Sequence, residues 1–172
     1  QQRGLPVLYV DAREIIKTNS AFSHSEVDFT VTNALINSFF ETNKGKICLV
    51  TGFIASNSKG ETTTLGRGGS DYTASVLGAA LGVKEIEIWS DVDGMMTSDP
   101  RKVKSAFTIP SISYAEAMEL THFGAKVIYP PSLQPAFAKN IPIRVLNTFN
   151  PSFAGTVVSK EPTGSPYIIT GI

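Results

Sequence analysis

Three segments carry residue types whose spacing could do chemistry. The first is 62–71, TTTLGRGGSD. An apolar run leads into it and a helical pattern leads out. Its glycines let a backbone approach a ligand closely, and the N-terminus of the following helix offers unpaired N–H groups. Such an end favours an anion, phosphate or carboxylate. Arg67 adds a planar guanidinium that matches either group. The spacing fits neither a Walker phosphate loop nor a dinucleotide fingerprint. The plain alternative is a flexible loop closed by Ser70 or Asp71 as a helix cap.

The second segment is 90–101, SDVDGMMTSDPR, at the carboxyl end of a strand expected over 85–89. Ligands of open α/β sheets bind outside such strand ends. Its aspartates do not make a calcium loop, because Met95 and Lys102 occupy ligand positions of that pattern. They could hydrogen-bond a sugar or base, or simply form turns. The third segment is 123–127, FGAKV, where Lys126 could cap the end of a helix or meet a phosphate.

These segments need a scaffold, and the pattern supplies one. Strands are expected at 7–10, 47–55 (buried), 85–89, 141–146 and 155–159. Helices are expected at 28–40, 71–81, from a capping box at Ser113 and Glu116 to Gly124, and at 132–139. The first helix should bury Val31, Leu35, Ile36 and Phe39, and Gly82 should stop the second. Residues 56–69 read as a loop. Alternation of this kind predicts an α/β fold, a mostly parallel sheet flanked by helices.

Composition narrows the classes. The 172 residues carry 15 basic and 15 acidic side chains, which argues against nucleic-acid binding through bulk charge. The longest nearly apolar run, 76–83, is far below the ~18 residues that cross a membrane. One cysteine, Cys48, makes no internal disulfide and fits a reducing compartment such as the cytoplasm. It reads as core packing rather than as a reactive thiol. His24 and His122 have no Cys or His partner at ligand spacing, which argues against a zinc site.

Segment 63–74, TTLGRGGSDYTA, resembles the signature of aspartate kinases, within the amino-acid kinase family. Segments 50–54 (VTGFI), 89–94 (WSDVDG), 97–101 (TSDPR) and 123–127 resemble further family blocks in order. The resemblance spans roughly 11–159. Segments 114–120 and 146–151 look nearer to forms fused to homoserine dehydrogenase. The resemblance implies that ATP phosphorylates the side-chain carboxylate of L-aspartate, giving 4-phospho-L-aspartate on the route to lysine, threonine and methionine. It implies that Arg67, Gly68, Gly69 and Ser70 contact aspartate, with Phe53 lining that pocket. Asp71 matches the catalytic aspartate that helps to organise phosphoryl transfer. Ser90, Asp91, Met96, Arg101, Lys126 and Val127 match nucleotide contacts. Met96 departs from a common Tyr, and Ser90 replaces a common Thr. Mg2+ would bridge the phosphates, and a homo-oligomer is expected.

The resemblance also shapes an expectation about organisation. Residues 1–159 correspond to the C-terminal, nucleotide-binding part of the kinase domain, a partial domain. Residues 160–166 read as a linker, and 167–172 as the start of a regulatory, ACT-like region. The family's Lys-Phe-Gly-Gly loop is not in this sequence. The chain alone is therefore expected to be inactive. Alternatives are a non-enzymatic nucleotide-binding module, an interaction piece, or a sister enzyme resembling glutamate 5-kinase or acetylglutamate kinase.

Overall fold

Two short aliphatic runs open the fold as parallel neighbours. β1 (Val7–Val10) pairs with β2 (Ile47–Val50), Val7 beside Ile47 through Val10 beside Val50. The structure is a computed structural model and describes residues 4, 6–22, 25–122 and 128–161. The chain divides into two compact units, Gln1–Leu81 and Gly82–Ile172.

In the first unit, α1 (Ala12–Ile15) and α2 (Phe29–Thr42) connect the two strands. Asp28 starts α2 by accepting a hydrogen bond from Val31 N at 3.1 Å, an N-cap worth about 1 kcal/mol. Ile36 of α2 is fully buried with Val10, Ile15, Ile16 and Val76. Val31, expected on that stripe, is 44% exposed instead. Buried Thr32 takes its place. Its hydroxyl accepts from Lys17 N at 2.9 Å and donates to Lys17 O at 3.3 Å, so a polar backbone requirement rotates the helix.

The single buried strand expected at 47–55 is two strands. β2 shows Ile47 and Leu49 to solvent and packs Cys48 and Val50 on the core. Thr51 Oγ1 then accepts from Ala12 N at 2.8 Å. Phe53 takes a left-handed φ of 74°, which breaks the run. β3 (Ile54–Ser56) pairs antiparallel with β4 (Thr62–Thr64). The segment 56–69, expected as loop, thus contains half of a hairpin. α3 (Gly69–Leu81) follows and ends at Gly82, whose φ of +60° suits a helix stop.

The second unit holds a four-stranded sheet in the order β5 (Ile86–Ser90), β7 (Ile143–Asn147), β8 (Thr156–Ser159), β6 (Ser111–Ser113). β5 and β7 are parallel, as are β6 and β8, whereas β7 and β8 are antiparallel. Among the described residues, three of the five strand pairings are parallel, an α/β arrangement as the pattern predicts. The capping box forms at α4 (Tyr114–His122): Glu116 N donates to Ser113 Oγ at 3.1 Å, and Ser113 N donates to Glu116 Oε2 at 2.9 Å. The Gly124 stop lies outside the described residues. The helix expected at 132–139 is a 3-10 turn, Pro130–Leu133, continued by α5 (Gln134–Ala138). Among the described residues no helix is long and apolar enough to cross a membrane.

Candidate functional site

The glycine-rich loop is built by positive backbone angles. Gly66 (φ 74°) and Gly68 (φ 68°) occupy the left-handed region, which a side chain would strain. The loop turns so sharply that Gly69 N reaches Gly66 O at 3.1 Å. α3 starts at Gly69, two residues before the expected start. Ser70 and Asp71 therefore sit within its first turn, not at its cap.

The turn at Phe53 closes against this loop. Leu65 N donates to Phe53 O at 2.9 Å, and Phe53 N donates to Thr73 Oγ1 at 3.1 Å. Thr73 in turn donates to Gly69 O at 2.9 Å. The Phe53 ring lies so close to Gly69 that a Cβ there would stand 2.6 Å from Phe53 Cδ2. A Cβ on Gly52 would stand 3.0 Å from Ser70 Oγ. Phe53, Gly68, Gly69, Ser70 and Asp71 are thus assembled around one helix start. Arg67 projects as an exposed side chain from the same loop. Sequence reading missed Thr73. Its position four residues after Gly69, a polar side chain on the buried face of α3, was the available signal.

Asp71 is the electrostatically distinct member. Burial pushes its carboxyl pKa above the ordinary range. A half-buried acid at a helix N-terminus could accept a hydrogen bond, hold a proton or face a cation.

The second cluster extends β5 of the other unit. Ser90 ends the strand, and its Oγ accepts from Val92 N at 3.4 Å. Asp91 is exposed just beyond it. Asp93 turns to the protein: its Oδ1 accepts from Asn147 Nδ2 at 2.9 Å and from Asn150 Nδ2 at 3.0 Å. Met96 pairs by a β-bridge with Thr108. Arg101 forms a two-toothed ion pair with Asp99, Nε to Oδ1 at 3.0 Å and Nη2 to Oδ2 at 2.9 Å. That guanidinium holds the Asp99 carboxyl down at about 2. The pair is exposed, so its worth lies in orienting Arg101 rather than in stability. Lys126 and Val127 lie outside the described residues. Among the described residues no three acidic, histidine or cysteine side chains converge as a metal cage.

A model of the amino acid kinase family matches residues 1–147. The chain belongs to that family. It is 40% identical over 168 residues to lysine-sensitive aspartokinase 3 of Escherichia coli, covering 96% of this chain and 37% of the relative. It is 40% identical over 172 residues to a bifunctional aspartokinase/homoserine dehydrogenase of Haemophilus influenzae, covering all of this chain and 21% of the relative. Among solved structures, E. coli aspartokinase III in complex with aspartate and ADP superposes with a TM-score of 0.87 at 40% identity. That match covers 93% of this chain and 36% of the other. UMP kinase from Bacillus anthracis, 17% identical with a TM-score of 0.58, shares the fold alone. The chain thus spans well under half the length of the aspartokinases it matches.

Proposed function

We propose that this chain is part of an aspartate kinase. In it, a side-chain carboxylate oxygen of L-aspartate attacks the γ-phosphorus of ATP. The bond from that phosphorus to the bridging oxygen breaks, leaving 4-phospho-L-aspartate and ADP. The observation carrying this reading is the likeness to aspartokinase III, a structure holding both aspartate and ADP. That likeness is to the fold of the whole chain, and the family resemblance adds the residues quoted above in the two clusters.

Phosphoryl transfer needs positioning and charge stabilisation more than covalent help. Arg67 supplies a carboxylate fork, Gly68 and Ser70 bring backbone N–H groups of a helix start to the same anion, and Gly69, whose own N–H is held by Gly66 O, meets it without a side chain. The Phe53 ring closes one wall. Asp71 organises the transfer site. Ser90, Asp91, Met96 and Arg101, with Lys126 and Val127, take the nucleotide. On the family resemblance, a magnesium ion would be carried by the nucleotide's own phosphates. When bound, that ion would offset their charge. On the same reading the enzyme is a cytoplasmic homo-oligomer whose product feeds lysine, threonine and methionine synthesis.

Because no Lys-Phe-Gly-Gly loop occurs in these 172 residues, the chain by itself is proposed to bind nucleotide without turnover. Calorimetric titration with Mg-ATP, then aspartate, tests this, together with hydroxylamine trapping of acyl phosphate. Nucleotide binding without trapped product is expected. Trapped product above a blank would overturn the inactivity, and absence of nucleotide binding would overturn the placement of the nucleotide loop.

A further inference from the structure

We propose that Asp93 is a positioning residue for nucleotide binding, acting through a clamp that holds the 90–96 loop from behind. The proposal rests on the nucleotide reading of that loop. Asp93 lies between Asp91 and Met96, both assigned to the nucleotide, yet its own carboxylate is turned to the protein. One oxygen, Oδ1, accepts from two amides, Asn147 at 2.9 Å and Asn150 at 3.0 Å. Hydrogen bonds to an ionised group are stronger than neutral ones. Asn147 ends β7, the parallel neighbour of β5, and Asn150 lies in the turn that follows it. That turn is tied to β5 a second time, by Thr148 N donating to Ser90 O at 2.9 Å. Asn147 closes it by accepting from Phe149 N at 2.9 Å.

The other side of the loop is pinned from β8. Gly94 has a φ of 111°, and a Cβ there would stand 2.5 Å from Thr156 Oγ1. Buried Thr156 accepts from Met95 N at 2.8 Å and donates to Ile109 O at 2.7 Å. Met95 is thereby drawn fully into the core. Held at Asp93 and at Met95, the loop has little freedom in where it presents Ser90, Asp91 and Met96. Ordering a loop before the ligand arrives removes an entropic cost from binding.

The test is Mg-ADP titration of the 172-residue chain and three variants, each with a thermal melt. Asp93→Ala removes both bonds and is expected to raise the Mg-ADP Kd about tenfold. Asp93→Asn keeps an oxygen that can accept from both amides, and its Kd should stay within about threefold of the parent. Asn150→Ala removes one bond and should fall between them, and it serves where Asp93→Ala does not fold. A lowered melting temperature with unchanged Kd in Asp93→Ala and Asn150→Ala would overturn the clamp while leaving the nucleotide reading intact. Equal loss of affinity in Asp93→Asn and Asp93→Ala would also overturn it, by pointing to direct contact through the charge. No Mg-ADP binding by the unsubstituted chain would overturn the nucleotide reading and the clamp with it.

Discussion

Adding one methyl group at Gly69 should separate the loop's shape from its chemistry. The Gly69 backbone is not in the left-handed region, so alanine is allowed there and is the better helix former. The obstacle is space. The new Cβ would stand 2.6 Å from Phe53 Cδ2 and 3.3 Å from Phe53 Cα. Carbon atoms at rest lie about 3.5–4.0 Å apart, so the ring must move by roughly 1 Å. Phe53 is 43% exposed and can swing outward, but its backbone is tied to Leu65 and Thr73. Overpacking of this kind costs about 1–3 kcal/mol. For a unit of this size that lowers the melting point by roughly 4–24 °C. In the full enzyme, displacement of the ring should raise the KM for aspartate by about tenfold and leave that for ATP nearly unchanged. A double-mutant cycle decides the cause. If the ring is the obstacle, Gly69→Ala adds little to Phe53→Ala, because the clash partner has gone. Additive losses, or a Gly69→Ala protein with the parent's melting point and aspartate KM, would refute the reasoning.

Arg67→Ala in the full enzyme should raise the aspartate KM by about 10- to 100-fold, the worth of a charge-assisted pair; an unchanged value in steady-state kinetics would make Arg67 a loop residue. Asp71→Ala should lower turnover about a hundredfold while moving the ATP KM little, and a shift in the ATP KM alone would contradict its role. Burial raises the Asp71 pKa, so the folded chain holds this proton more tightly than the unfolded one. Its contribution to stability is then greatest below the ordinary carboxylate range and declines as pH rises through the folded pKa. Asp71→Asn should therefore melt above the parent at pH 7, with the gap closing below about pH 4 in a melting series. Gly94→Ala meets Thr156 Oγ1 at 2.5 Å and Thr156 N at 2.9 Å at a φ of 111°, and should destabilise the second unit by about 3 kcal/mol or more in denaturant unfolding.

What the sequence made legible was whatever is encoded locally. The Ser113–Glu116 box and the Gly82 stop are each set by residues close to one another in sequence, whereas Asp28, read as the first residue of its helix, is its cap. The glycine loop was legible because a guanidinium among small residues before a helix has few structural purposes. The hairpin strand Thr62–Thr64 was not, since three threonines beside glycines read as loop until Ser56, Ala55 and Ile54 arrive to pair with them. The break within 47–55 depends on Phe53 adopting a φ of 74°, and Thr51-Gly52 just before it was the signal that the strand reading passed over. Asp93 read as a turn former or a ligand contact. Its partners stand 54 and 57 residues away, beyond any local pattern.

Both clusters divide their labour in the same way. The groups assigned to ligand, Arg67, Ser70, Asp91 and Arg101, are exposed. The groups that shape their backbones, Gly69, Thr73, Gly94, Met95 and Thr156, are buried. A ligand-facing side chain on a loop is placed by the backbone that carries it. The fixing bonds therefore come from behind, through Thr73 to Phe53 and Gly69, and through Asn147, Asn150 and Thr156 to the 90–96 loop. Close packing makes these supports intolerant of added volume, whereas the exposed ligand groups can be changed with little effect on folding. Substitutions at the exposed set should read out in KM and turnover, and substitutions at the buried set in melting temperature and KM together. That difference separates a binding site from a merely well-packed loop.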